Sequence, residues 1–311
     1  MNARHWTLSP PVAFGIYVLV RLALMVVHMF PYRMAPVLGR GLGAVLRRAD
    51  RRHLRIARKN VERSPGLVRP EEVPAFLDRV WEYTGITLVE IFMIPRLLAR
   101  GEILKTFRFL RADVLDRCLE GGKGAIAVIG HLGNYELGGV ALNALGRRLH
   151  SLARPVVNPH LDRYLTRFRT LTGQKIISTG NPLGEMIRTL RGNGILVIEI
   201  DQDAKRDGIL VDFFGRKASA HRSPALFAIK YGAPVVMAEC FREAGGNVCL
   251  FSDPIDPAPY QGRPDGVEAL TQEITSRFEA AVRRHPDQWF WVYDRWRGAE
   301  RNAEKEVTHV A

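Results

Sequence analysis

The stretch GAIAVIGHLGNYE, residues 124–136, decides the fold because it joins a strand-like run to a histidine and then to an acid. The run Ala125–Ile129 is short, apolar and preceded by glycines, which predicts a buried strand. His131 would lie at the C-terminal edge of that strand. Positions i and i+5 point apart on one helix, so His131 and Glu136 can meet only if Leu132 and Gly133 turn the chain into a new helix.

On both sides of this stretch, the apolar pattern changes along the chain. Apolar residues recur at helical spacing in Glu71–Ile94 and in Val267–Val282, which predicts two amphipathic helices. Short apolar runs predict further strands at Ile195–Ile200, Val235–Ala238 and Val248–Phe251. Strand-like runs that alternate with helical segments indicate an α/β fold built on one central sheet.

The N-terminal part of the chain predicts a membrane anchor at residues 1–35, followed by a single domain at residues 36–311. The segment Pro11–Phe30 is mostly apolar and close to the ~20 residues that cross a bilayer. A charge such as Arg21 is costly at the bilayer centre, so the helix either spans the membrane or lies in its interface. A basic run follows and favours the cytoplasmic face: Arg47, Arg48, Arg51, Arg52, Arg55, Arg58 and Lys59.

The charge balance limits the kinds of partner. The chain has 45 Lys and Arg against 32 Asp and Glu, which gives a formal net charge of +13 and favours acidic partners. Four kinds of partner carry the negative charge that this balance favours: anionic lipid, the phosphates of coenzyme A, acidic acyl carrier protein and nucleic acid. No nucleic-acid motif accompanies the basic residues, so a nucleic-acid partner is not expected.

Two smaller patterns predict structural roles. Cys118, Cys240 and Cys249 are too few and too widely spaced for a disulfide framework or a metal site, and we expect small buried hydrophobic residues. Gly39 and Gly43 belong to a glycine-rich segment without the strand–helix context of a dinucleotide site, so this segment is expected to serve helix packing or as a hinge.

Four ordered motifs carry a family resemblance. His131-Leu-Gly-Asn-Tyr-Glu136 resembles the HxxxxD/E motif of glycerolipid and lipid A acyltransferases. Asp201-Gln-Asp203 with Gly208, then Phe213-Phe-Gly215-Arg216, resemble the DQD and FFG elements of the bacterial late acyltransferases of lipid A biosynthesis. His285-Pro-Asp-Gln-Trp-Phe-Trp291 is similar to that family's PEQW-aromatic-W signature. The resemblance extends over nearly the whole chain.

The resemblance implies both a fold and a reaction. It implies a central mixed, largely parallel sheet flanked by helices, with an N-terminal membrane-anchoring helix. It also implies acyl transfer in which His131 is the general base, oriented and made more basic by Glu136. A thiol is a good leaving group and the chain has no GxSxG nucleophile elbow, so direct transfer without an acyl-enzyme is expected. No metal or cofactor is implied.

The same resemblance implies a set of substrate-binding residues. Arg154 and Asn158 match an RPxxNP segment, and Arg169 matches the arginine that follows it, which would bind a phosphate or polarise the thioester carbonyl. Three acids lie at the end of a predicted strand, where ligand-binding loops lie, and one of them is expected to contact His131 or the acceptor: Glu199, Asp201 and Asp203. The segment Asp207–Ser219 is predicted to be a loop in which Phe213 and Phe214 line an acyl channel or close over substrate, with Gly215 permitting the bend; a buried anchor of the loop is the alternative. Phe214, Gly215 and Arg216 are counted among the substrate-binding residues.

These features predict an acyltransferase of the bacterial inner membrane, with its catalytic domain on the cytoplasmic face. The donor would be acyl carrier protein or acyl-CoA, and the acceptor a glycolipid hydroxyl, first of all a lipid A precursor. Tyr293-Asp294 departs from the His-Arg more usual in the lipid A group, so acylation of another lipid such as phosphatidylinositol mannoside is the alternative. Thioesterase activity and a non-catalytic membrane-binding or nucleic-acid-binding role are further alternatives.

Overall fold

The computed structural model describes residues 9–180 and 182–300, so the outer ends of the two predicted units lie outside the described residues. The helices are α1 Pro10–His28, α2 Ala35–Ala49, α3 Arg51–Glu62, α4 Val73–Ala99, α5 Asp113–Glu120, α6 Tyr135–Ala144, α7 Pro159–Leu171, α8 Leu183–Arg191, α9 Ser223–Tyr231 and α10 Gly266–Arg284. The strands are β1 Phe107–Leu110, β2 Ala125–Ile129, β3 Leu149–Ala153, β4 Lys175–Ser178, β5 Ile195–Glu199, β6 Ile209–Phe213, β7 Arg216–Ala220, β8 Val235–Glu243 and β9 Gly246–Phe251.

A seven-stranded sheet forms the centre of the protein, in the order β1-β9-β8-β2-β5-β3-β4. Only the β8–β9 pair is antiparallel in this sheet, and the other neighbours run parallel. The predicted mixed, largely parallel sheet is therefore confirmed. In register, Ile129 at the end of β2 pairs with Glu199 at the end of β5, so the residues after both strands emerge at one edge.

Helices cover both faces of the sheet, which explains why β2 is apolar without alternation. Ile126 and Val128 face a core that α8, α9 and α10 complete, whereas Ala125 and Ala127 face a second core under α5 and α6. The long helix α4 contributes its first half to one core and its second half to the other. Both faces of the central strands are consequently dry.

Glycines allow α2 and α4 to cross at very short distance. A Cβ on Gly43 would lie 2.2 Å from the carbonyl oxygen of Trp81, and one on Gly85 would lie 2.1 Å from the carbonyl oxygen of Gly39. No side chain larger than hydrogen fits there without moving backbone. The prediction that the glycine-rich segment serves helix packing is confirmed.

The segment Asp207–Ser219 corrects one prediction. It was expected to be a loop, but most of it forms the antiparallel hairpin of β6 and β7. Phe214 and Gly215 make the tight turn, with φ angles of 53° and 68°, both in the left-handed region. Because buried and exposed residues alternate in β6, one face of the hairpin packs on α10 and the other faces solvent.

Within the described residues, α1 is the one helix long and apolar enough to cross a membrane, with a mean hydropathy of 2.0 over its most apolar window. Only 11% of that window is buried against the rest of the protein. The remaining surface is apolar: Val12, Phe14, Val18, Leu19, Leu22, Met25, Val26 and Met29 are all exposed. Such a surface is compatible with a lipid environment, and the anchor itself stays a prediction.

Candidate active site

His131 lies two residues beyond the end of β2, where the chain leaves the sheet. Parallel strands end at the same edge of a sheet, so the neighbouring strand β5 delivers Glu199 and Asp201 to the same place. Gly133 then turns the chain into α6 with a φ of 56°, and a Cβ there would lie 2.4 Å from the carbonyl oxygen of Cys240. The predicted strand, turn and helix around His131 are all present.

Asp201 holds the imidazole of His131 in place. The Nδ1 atom of His131 lies 2.8 Å from Oδ1 of Asp201, and the backbone N–H of His131 donates to Oδ2 at 2.7 Å. The indole N–H of Trp289 donates to the same Oδ2 atom at 2.8 Å. With Nδ1 engaged by a carboxylate, Nε2 is the ring nitrogen available to a substrate.

Glu136 has a different partner from the one expected. It lies in the first turn of α6 and accepts two hydrogen bonds from the guanidinium of Arg169, of which the one from Nε measures 2.9 Å. The expectation that Glu136 orients the ring is therefore corrected, because Asp201 makes that contact. The structure does bring Glu136, Arg169 and His131 into one neighbourhood, since the charge of Glu136 still acts on the imidazole.

Three carboxylates set the protonation of the site. Burial lowers the pKa of His131, but the charges of Asp201, Glu199 and Glu136 outweigh it and raise that pKa to about 9. Burial also raises the pKa of the Glu199 carboxyl, whose Oε2 atom lies 3.7 Å from Nε2 of His131. Burial acts the same way on Asp201, yet its bonds to His131 and Trp289 hold its pKa below the usual range.

Two spaces of different size border the residues around His131, and the larger one is lined by His131 itself. A cleft of about 520 Å³ opens between α4 and the segment 288–293, with walls that include Trp81, Ile91 and Phe290. A narrow cavity of about 60 Å³ lies between the sheet and α6, and Glu136, Arg169 and Glu199 are among its lining residues. Tyr135 borders both spaces and meets the His131 ring edge-on, with 4.8 Å between ring centroids.

Of the residues matched to the RPxxNP segment, Arg154 lies at the surface just beyond β3, and its charge acts on Tyr293 of the cleft. Asn158 is buried and already engaged: its Oδ1 atom caps α7, and its Nδ2 atom donates to the carbonyl of Ala13 in α1 at 2.8 Å. Its predicted substrate contact is corrected to a structural role that ties α1 to α7.

The hairpin residues Phe214, Gly215 and Arg216, which were predicted to bind substrate, are not among the residues that line the cleft. Phe214 is fully buried and packs against Trp289 and Trp291. Gly215 forms the hairpin turn, and Arg216 pairs with Glu300 and stacks on an indole ring. The predicted substrate contacts of Phe214 and Arg216 are corrected, because both side chains are engaged within the protein, whereas the bend predicted at Gly215 is present.

The buried polar residues that support the active site were not predicted from the sequence. Glu90 of α4 is buried, and it accepts hydrogen bonds from Nδ2 of Asn134 at 3.0 Å and from Arg242. Asn134 in turn caps α6 through Oδ1. The available signal was a glutamate one turn from Ile86 and Ile94 on the apolar stripe of α4, since a buried acid needs partners.

The C-terminal motif at residues 285–291 contacts the segment that carries His131. Leu132 and Trp289 form an antiparallel bridge, and the backbone N–H of Phe290 donates to the carbonyl of His131 at 3.0 Å. Trp289 is buried within this segment. Its indole hydrogen bond to Asp201 could not be foreseen from the sequence.

A buried histidine–carboxylate pair at the strand ends, beside an apolar cleft, defines the site of an enzyme that handles an apolar substrate. Residues 1–298 match the family described as bacterial lipid A biosynthesis acyltransferase, and the chain belongs to this family. The protein is therefore an acyltransferase, as the sequence motifs predicted.

The curated relatives carry two kinds of name. A phosphatidylinositol mannoside acyltransferase of Mycobacterium tuberculosis is 26% identical over 245 residues, which cover 77% of this chain and 76% of that protein. A lipid A biosynthesis palmitoleoyltransferase of Escherichia coli is 24% identical over 270 residues, 86% of each chain. A lipid A biosynthesis acyltransferase of Haemophilus influenzae is 20% identical over 92% of this chain and 89% of that protein.

Proposed function

We propose that this enzyme transfers a fatty acyl chain from an acyl thioester, carried by acyl carrier protein or coenzyme A, to a hydroxyl of a glycolipid. The observation that carries the proposal is the His131–Asp201 pair beside the apolar cleft. A lipid A precursor is the first candidate acceptor, because of the family to which the chain belongs.

In the proposed reaction, His131 is the general base. Nε2 takes the proton of the acceptor hydroxyl while that oxygen attacks the thioester carbonyl. The tetrahedral intermediate collapses with loss of the thiolate, which receives the proton from the imidazolium. A thiol has a pKa of about 8.5 and leaves readily, so the two substrates need no covalent acyl-enzyme between them.

Glu136 and Arg169 have a proposed role of their own. The paired carboxylate holds the guanidinium at the narrow cavity, so Glu136 acts as a positioning residue for Arg169. The positive charge of Arg169 would polarise the thioester carbonyl or bind a phosphate. Glu199 faces Nε2 and would keep the ring basic, while Arg154 would contact a polar headgroup at the surface.

We place the reaction at the cytoplasmic face of the bacterial inner membrane. The exposed apolar face of α1 supports a membrane anchor within residues 1–35, and the domain of residues 36–311 would carry the chemistry. The arginines of α3 that were predicted to face anionic lipid are exposed at positions 51, 52, 55 and 58.

Phosphatidylinositol mannoside is the second candidate acceptor. Relatives named for that activity match 77% of this chain at 26% identity. Tyr293, which stands where the lipid A group usually has histidine, lies at the cleft and accepts a hydrogen bond from the backbone N–H of Asp203 at 3.2 Å. The position at which this chain departs from the lipid A group therefore borders the space where an acceptor would lie.

Transfer assays with purified protein test the proposal. The protein is incubated with labelled acyl carrier protein or acyl-CoA, and with lipid A precursors, phosphatidylinositol mannosides or no acceptor. Acylated lipid A precursor is the expected product. Transfer to the mannosides alone would replace the acceptor, and free fatty acid alone would identify a thioesterase.

A matched pair of histidine variants tests the site. His131→Gln should reduce transfer by about 10³-fold, because a general base contributes roughly 10² to 10⁴. His150→Gln changes a half-buried histidine of β3 and should keep nearly full activity. Equal losses in both folded variants would remove His131 from the reaction.

A further inference from the structure

A cationic groove separates α1 from the rest of the protein. It has a volume of about 630 Å³ and lies between α1, the Pro95 region of α4, and α7. Its basic lining residues are Arg21, His28, His160, Arg163 and Arg167, and none of the described residues that line it is an aspartate or a glutamate. The groove lies outside the active site, since none of its lining residues borders the two spaces beside His131.

The three arginines of the groove lack carboxylate partners. Among residues 9–180 and 182–300, no carboxylate lies within salt-bridge distance of Arg21, Arg163 or Arg167. Arg163 and Arg167 are one turn apart on α7, where like charges repel each other. The Arg163 guanidinium lies 3.2 Å from Nδ1 of His160, which cannot neutralise it. The groove therefore holds positive charge without an anion from this part of the chain.

Arg21 turns towards the groove although it belongs to the apolar helix. Its guanidinium donates to the hydroxyl of Tyr17 at 2.8 Å and lies 5.2 Å from the centroid of the Tyr164 ring on α7. Tyr17 and Arg21 are one turn apart, so they share a face of α1. This explains how an arginine fits in a helix with a lipid-compatible surface: its charge lies over the groove.

The groove and the exposed apolar face of α1 adjoin each other. The Phe14 ring contacts the His160 ring edge-on, with 5.6 Å between centroids, and Phe14 also belongs to the exposed apolar face. A molecule that combines an anionic group with hydrocarbon chains would satisfy both surfaces at once. Arginine forks suit phosphate oxygens, and basic pockets between membrane-adjacent helices bind anionic headgroups.

We propose that this groove binds the phosphate headgroup of an anionic membrane phospholipid, whose acyl chains lie along the exposed face of α1. This inference rests on the proposed membrane position of α1, and it does not depend on the proposed acyl transfer. The bound lipid would fix α1 against α7, where Asn158 already joins the two helices.

Vesicle co-sedimentation of the full chain tests the site. The vesicles contain phosphatidylcholine alone, or equal parts of phosphatidylcholine and phosphatidylglycerol. The variant Arg163→Gln/Arg167→Gln should lose about 25-fold in affinity for the mixed vesicles, since each arginine near an anionic surface contributes roughly fivefold. Binding to phosphatidylcholine alone should not change. The charge-conserving variant Arg163→Lys/Arg167→Lys should lose less.

The matched control is Arg188→Gln/Arg191→Gln on α8, which removes the same charge, one turn apart, from an exposed surface outside the basic run of residues 47–59. Equal losses in both double variants would show diffuse attraction and overturn the site. If inorganic phosphate at constant ionic strength released the protein from the vesicles, the ligand of the groove would be free phosphate and not a lipid. Unchanged vesicle binding, with transfer lost only when acyl carrier protein is the donor, would assign the groove to that acidic protein.

The proposed acyl transfer and the proposed lipid site in the groove can be refuted independently of each other. The groove variants should keep acyl transfer in detergent, where no bilayer is needed, and His131→Gln should keep vesicle binding. Loss of vesicle binding with normal transfer supports the groove alone. Normal vesicle binding by Arg163→Gln/Arg167→Gln, together with normal transfer from either donor, would contradict the groove.

Discussion

Asp201 and Glu136 are two of the acids that the sequence places near His131, and the structure gives them different partners. Glu136 is five residues away along the chain and pairs with Arg169, whereas Asp201 is 70 residues away and holds the imidazole. The reason is the sheet: β2 and β5 are parallel neighbours, and their ends meet. Distance along the chain is thus a poor guide to which acid serves a histidine at a strand end.

The two acids also differ in what surrounds them. Asp201 is 4% exposed and accepts hydrogen bonds from the backbone of His131, its ring, and Trp289. Glu136 is bound only through the Arg169 guanidinium among its contacts in the described residues, at the edge of a cavity. Asp201 fixes the imidazole ring of His131, and Glu136 holds the guanidinium of Arg169. Substitutions can separate these roles.

The largest expected effect is that of Asp201→Asn. The amide cannot accept the Nδ1 proton as a carboxylate does, so the ring loses its tautomer and orientation, and kcat should fall by about 10³ to 10⁴. Steady-state transfer assays on the folded variant measure this. Asp203→Asn, a buried acid two residues further on, is the control and should lose far less. Similar activity in the two variants would refute the assignment of Asp201.

Glu136→Gln should have the next largest effect. Arg169 loses its bidentate partner and its position, so kcat/KM should fall by about 10²-fold, while the free energy of unfolding falls by about 2 kcal/mol. Adding Arg169→Gln should restore part of the stability but none of the activity. The control Glu185→Gln changes an exposed glutamate in the first turn of α8. Full recovery of transfer in the double variant would exclude a role for Arg169.

Whether a feature could be predicted from the sequence depends on how far apart in the chain its interacting residues lie. The strand Ala125–Ile129 has the predicted bounds, and α10 differs from its predicted range by one and two residues, because both rest on local apolar patterns. The choice of Asp201 depends on strand register, which no local pattern encodes. The burial of Phe214 depends on two indole rings of the C-terminal segment, those of Trp289 and Trp291, which are far away in the chain.

Trp289→Phe should have the smallest effect of the three sites. It keeps an aromatic ring but removes one hydrogen bond to Asp201, and bonds to charged groups contribute about 1.5 to 3 kcal/mol to stability. We expect a lower melting temperature and a severalfold lower kcat. In Trp291→Phe the lost indole bond goes to the neutral carbonyl of Pro286, so a smaller loss of activity should result. A larger loss in that control would point to packing rather than to Asp201.

The pH dependence of kcat/KM tests most directly the claim that Asp201, and not Glu136, sets the basicity of His131. Transfer needs the neutral imidazole, so activity should rise with pH. The inflection of the curve should lie near the pKa of about 9, with a plateau above it. Asp201→Asn removes the leading charge that raises this pKa, and burial should then move the inflection well below 9. The variant Glu136→Gln/Arg169→Gln keeps the local charge balanced and should leave the inflection close to 9. A large downward shift in that variant, with none in Asp201→Asn, would contradict the account.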